Sequence, residues 1–217
     1  MKILLLLIFL FSTAVGPVFA QDGDWQRVTV GDSTTIDFPS EPKKIMHKGQ
    51  NAYGLYEEGV LYSVAVQEKA KDAGLTLEEK RSFYDEAIQG AAEAAKAPRI
   101  LAKTRFVLNG FEGVEVTFMS AIGKMKNPVA MRMILVNSTF YGQTFSASAS
   151  PAHTVARQRF FASFATRLRP AAVTSAETRT SAYKIGQLMG SVFFYGLLIA
   201  GVIFLLKRST SKKKQAY

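Results

Sequence analysis

No cysteine occurs among the 217 residues, which removes a disulfide framework, a thiolate zinc site, an iron–sulfur cluster and a cysteine nucleophile together. Histidine is nearly as scarce. His47 and His153 are the only two, so most imidazole-based metal or acid–base schemes lack parts. The chain also has no G-x-S-x-G elbow, Walker loop, dinucleotide glycine fingerprint, H-E-x-x-H or EF-hand loop. No catalytic set, metal set or cofactor follows from the residues, and the reading is that the chain is not an enzyme.

The net charge of +10 would suit nucleic acid only if it were concentrated on a folded face. It is not. Residues 21–170 hold 19 Lys/Arg against 16 Asp/Glu, whereas residues 171–217 hold seven against Glu177 alone. The excess flanks apolar segments, where basic residues set membrane orientation. The balanced portion lacks the interleaved cations and aromatics of a single-strand groove, so nucleic acid is excluded as a partner.

Both ends read as membrane signals. Lys2, the apolar run Ile3–Phe11 and the small-residue exit Val18-Phe19-Ala20 make residues 1–20 a signal peptide. Ile185–Leu206 is 22 residues without a charge, enough helix for ~33 Å and therefore for one membrane crossing. Lys207, Arg208, Lys212, Lys213 and Lys214 follow it, which places residues 207–217 in the cytoplasm and the preceding domain outside, on the periplasmic side of a bacterial inner membrane. Gly186 and Gly190 lie one turn apart in that segment, a spacing that lets two such helices approach and makes a homodimer an expectation. Residues 170–184, rich in Ala, Ser and Thr, read as a flexible tether.

Residues 21–169 then form the exported domain. Alternation around Gly31-Asp32-Ser33 predicts a hairpin over Gln26–Val30 and Thr34–Phe38, stopped by Pro39 and Pro42. Tyr53–Tyr56 and Val60–Val66 make a second. Thr76-Leu77-Glu78-Glu79 is a capping box, opening a helix to about Lys96 with Leu77, Tyr84, Ile88, Ala91 and Ala95 on one stripe. Asn109-Gly110 joins strands Ile100–Leu108 and Phe111–Met119, and Val129–Val136 pairs with Phe140–Ala147. A last helix starts at Ser150-Pro151, its apolar face given by Ala156, Phe160, Phe161, Phe164 and Leu168. Strand runs separated by single helices predict an α+β fold, an antiparallel sheet with two packed helices.

Ile36-Asp37-Phe38-Pro39-Ser40-Glu41-Pro42, the central helix, the strands ending at Phe140-Tyr141 and the closing Phe160-Phe161-Ala162-Ser163-Phe164 resemble the PsbP-like α/β sandwich. The resemblance spans residues 25–168. It implies an accessory role, because that superfamily includes an extrinsic subunit of the photosynthetic oxygen-evolving complex and is mostly made of non-enzymatic partners in assemblies. It supplies no catalytic motif to carry over.

The expected function is therefore a membrane-anchored accessory or assembly partner of an envelope protein complex. A small-molecule or lipid-binding pocket between sheet and helices is the alternative, and a hydrolase without a familiar motif is the third. Tyr53, Tyr56, Tyr62, Phe140 and Tyr141 are the candidate partner surface. Strand aromatics are usually core, so the assignment requires that they prove exposed together. His47 and His153 read as surface and helix-start residues. Asn137-Ser138-Thr139 matches the glycan acceptor pattern, which a hairpin turn explains equally well.

Overall fold

The structure is a computed structural model that describes residues 24–31, 33–47, 50–68, 70, 75–97, 99–120 and 127–170. The expected signal peptide, most of the expected tether, the apolar segment with Gly186 and Gly190, and the basic tail residues 207–217 lie outside the described residues. Among the described residues no helix is long and apolar enough to cross a membrane.

In chain order the elements are β1 (Gln26–Gly31), β2 (Thr34–Phe38), β3 (Lys43–His47), β4 (Gln50–Glu57), β5 (Val60–Gln67), α1 (Leu77–Ala94), β6 (Ile100–Leu108), β7 (Phe111–Met119), β8 (Pro128–Val136), β9 (Thr139–Ser146), α2 (Pro151–Ala162) and β10 (Ala165–Thr166). They make an α+β fold with two antiparallel sheets. A three-stranded sheet has the order β1-β2-β10, and a seven-stranded sheet has the order β3-β4-β5-β9-β8-β7-β6.

The alternation of side chains along the large sheet explains its two cores. Val129, Met131, Met133 and Leu135 of β8 join Phe140 of β9 and Val114, Val116 and Phe118 of β7 beneath α1, against Phe83, Tyr84, Ala87, Ile88 and Ala91. Their neighbours Ala130, Ile134, Val136, Tyr141 and Phe145 point the other way. They meet the small sheet through Val30, Ile36 and Phe38, and they meet the α2 region through Phe160, Phe161 and Phe164. The large sheet is thus covered by α1 on one face and by the small sheet with α2 on the other. Each buried Phe contributes about 1.5–3 kcal/mol relative to exposure.

Local signals set most boundaries. Thr76 and Glu79 exchange both capping-box hydrogen bonds at the start of α1, and the Ser150 hydroxyl accepts from His153 N–H at the start of α2. Asn109 and Gly110 both take positive φ, +51° and +85°, the geometry that a two-residue hairpin turn needs.

Some expectations are corrected. The chain does stop its first ladder at Pro39–Pro42, but Lys43–His47 then forms a further strand at one end of the large sheet. The helical stripe loses its first member: Leu77 is 53% exposed, because it is the first residue of α1. The last helix ends at Ala162, so Phe164 is buried from the segment beyond it, and Leu168 follows β10 and stays exposed.

Candidate functional site

The five aromatics do not form one exposed face. Tyr53, Tyr62, Phe140 and Tyr141 are buried, and only Tyr56, at 43%, is exposed. They also divide between layers, with Tyr53, Tyr62 and Tyr141 in the core under the small sheet and Phe140 in the core under α1. The physical reason is coverage of both faces of the sheet, which leaves strand aromatics no wet side. Tyr62 packs edge-on against Trp25, Phe145 and Phe160. Burial, with smaller contributions from Glu57 and Glu58, pushes its hydroxyl up to about 12.

The exposed apolar residues lie elsewhere. β6 ends the large sheet, and among the described residues no strand pairs with its outer edge. Ile100, Leu101 and Val107 of this strand are exposed, Val107 at 71%. Its inner edge follows β7 in register from Ala102–Thr117 to Leu108–Phe111, with a bulge between Ile100 and Ala102.

An open groove of about 360 Å³ runs between α1 and β6. Ile88, Ala92, Ala97 and Ile100 supply its apolar lining, and Asp85, Gln89, Glu93, Lys96 and Lys103 its polar lining. Lys103 crosses the groove to pair with Asp85 of α1. Further along the strand Arg105 pairs with Glu112 at 3.1 Å, and Arg81 of α1 reaches the same carboxylate at 3.8 Å. The two central cations of β6 are exposed but paired with carboxylates, while Lys96 and Arg99 are exposed where the strand begins. Over residues 96–111 the sequence carries four cations and no carboxylate.

On the opposite face of the sheet Glu115 binds two arginines. Arg132, its cross-strand partner, donates to it at 3.1 and 2.8 Å, and Arg157 of α2 takes its other oxygen. Arg132 also donates to the Phe161 carbonyl at 2.9 Å and lies between the Phe106 and Phe161 rings, 4.6 and 4.9 Å from their centroids. Burial opposes ionisation of Glu115, but its bonds to Arg157 and Arg132 outweigh it and hold the carboxyl below its usual range. Every member is matched inside the fold, and the cluster clamps α2 to the sheet.

His153 Nδ1 lies 2.7 Å from the Ser148 carbonyl at the start of α2, a contact that fixes the local turn. Asn137 takes φ of +52° in the β8–β9 turn. Among the described residues no three or more His, Cys, Asp or Glu side chains are grouped to hold a metal ion.

Sequence reasoning missed the groove and the edge. Ile100–Leu108 was legible as a strand, but its position at the end of a sheet depends on pairings that no local pattern encodes. The one available signal was its failure to alternate, with apolar residues at both of its ends and cations in the middle.

No family model matches the chain, and no curated protein matches it. Among solved structures, cyanobacterial PsbP (CyanoP) from Synechocystis is similar at a TM-score of 0.50 and 14% identity, over 70% of this chain and 99% of that one. A Pseudomonas aeruginosa protein of unknown function aligns at a TM-score of 0.43 and 11% identity, over 67% of this chain and 99% of that one. The fold is PsbP-like.

Proposed function

We propose that the chain is a membrane-anchored, exported, non-enzymatic domain that serves as an accessory or assembly partner of an envelope membrane protein complex. The observation that carries this reading is the nine-residue strand β6, which ends the large sheet with its outer edge unpaired among the described residues and with Ile100, Leu101 and Val107 exposed. A long unpaired edge with exposed apolar residues at both ends is an invitation to another chain, and proteins ordinarily cover or blunt it. The uncharged run Ile185–Leu206 supports the anchor, and the charge distribution around it supports an extracytoplasmic domain. The PsbP-like fold agrees with an accessory role without specifying one.

The test is crosslinking of the full-length protein in native membranes, followed by identification of what co-purifies, with a chain lacking residues 25–168 as control. A stoichiometric membrane protein that depends on the domain supports the reading. Recovery of no protein beside the intact domain overturns it. The groove favours a second reading, since its apolar lining could seat a lipid or small metabolite. Recovery of such a molecule without a protein would establish that reading instead.

A further inference from the structure

We propose that the outer edge of β6 accepts an extended, acidic segment of a partner protein as an added strand, with alternate partner side chains seated over the α1–β6 groove. The inference deepens the accessory reading and rests on it. Strand addition draws affinity from main-chain hydrogen bonds and specificity from pockets beside the edge, and β6 offers both. From Ala102 to Leu108 it runs in register with β7 on its inner side, and its outer amides and carbonyls face no strand among the described residues. The groove with Ile88, Ala92, Ala97 and Ile100 meets the first part of the same strand, at Ile100 and Lys103, so a side chain on the α1 face of an added strand can pass over it there.

The usual protections are weak here. Lysines blunt an edge when they stand in its way, yet Lys103 is drawn to Asp85 and Arg105 to Glu112. The bulge disturbs only the first residues of the strand. At the other end of the sheet β3 has five residues, a shorter edge.

Charge selects the occupant. Residues 96–111 contain Lys96, Arg99, Lys103 and Arg105 with no carboxylate, and Lys96 and Arg99 are exposed at the strand's entrance. A second copy paired antiparallel about Thr104, the middle of the strand, would set Lys103 opposite Arg105, an unfavourable like-charge pair. With Lys103 and Arg105 already paired to Asp85 and Glu112, the attraction for an acidic segment comes from the exposed Lys96 and Arg99 at the strand's entrance.

Hydrogen exchange of the full-length chain in detergent micelles tests this, read by mass spectrometry over residues 100–108. The probes are a short synthetic peptide alternating glutamate and valine, its lysine–valine counterpart, and the acidic peptide fully N-methylated. The acidic peptide should slow exchange in residues 100–108, and the N-methylated one should not. The lysine peptide should bind about tenfold more weakly, a difference that two exposed ion pairs within their usual range supply. In the double variant Lys96→Glu, Arg99→Glu, whose sites are exposed, the charge preference should reverse. No slowing at 100–108, equal slowing by both charges, or an unreversed preference overturns the proposal. So does an edge already protected in the free chain, which would assign it to a second copy or to residues 171–184. Should the peptides fail while a domain-dependent protein still co-purifies from membranes, the accessory reading stands on another surface. Should the peptides bind and no protein co-purify, the accessory reading falls instead.

Discussion

The hydroxyl of Tyr84 in α1 accepts a hydrogen bond from the backbone N–H of Leu135 at 2.8 Å and donates one to the Glu112 carbonyl at 2.7 Å. Glu112 and Leu135 face each other just past Gly113–Ile134, where the β7–β8 pairing ends. A helix side chain thereby satisfies two strand groups that the ladder no longer joins, and it fixes α1 to the end of the sheet. Burial raises the Tyr84 hydroxyl well above its ordinary pKa, so it remains a donor across the physiological range. Tyr84→Phe keeps the ring and orphans both backbone groups, and we expect a loss of about 1–3 kcal/mol in urea unfolding. Faster exchange of the Leu135 amide should accompany it; an unchanged amide would show that the bridge is not made.

Glu115 joins β7, β8 and α2 through Arg132 and Arg157. Its folded pKa lies below the unfolded value of about 4.5. The stability it contributes is therefore present above that value and lost as pH falls through the folded pKa. Glu115→Gln should cost about 2 kcal/mol at neutral pH, since charged hydrogen bonds are lost from a half-buried site. The gap between variant and parent should narrow as the solution is acidified. A gap independent of pH would mean that the charge is not what holds the clamp.

Tyr62 predicts the opposite behaviour at alkaline pH. Its hydroxyl ionises at about 12 in the fold, against 10.0 for an exposed tyrosine, so between those values the folded chain holds a proton that the unfolded chain has released. Its contribution is complete below about pH 10 and is lost as pH rises toward 12. Thermal unfolding of Tyr62→Phe should match the parent near neutrality and fall less steeply above about pH 10. Parallel curves would contradict the assignment.

How much of this was legible follows from how local each feature is. The capping box at Thr76–Glu79, the Asn109-Gly110 turn and the Ser150-Pro151 start depend on residues a few positions apart, and each is where the residues place it. Strands β3 and β10 escaped notice because Lys43–His47 lacks an apolar face and the two residues Ala165–Thr166 pair with Thr35 and Thr34, far away in sequence. Leu77 and Leu168 fit helical spacing but remain partly exposed, at 53% and 36%. The five aromatics were legible as strand residues, whereas their burial depended on both faces of the sheet being covered. The groove was invisible for a related reason: it is a relation between α1 and the outermost strand, and outermost is a property of topology.

Val107 and Met46 form a matched pair, being exposed to 71% and 73% on the two opposite end strands of the large sheet. A photocrosslinking amino acid placed at either position in the full-length chain, and irradiated in native membranes, reports which edge a partner occupies. Docking at β6 should give one discrete protein adduct from position 107 and none from position 46. Adducts from position 46 alone, or the same adducts from both, would contradict docking at β6.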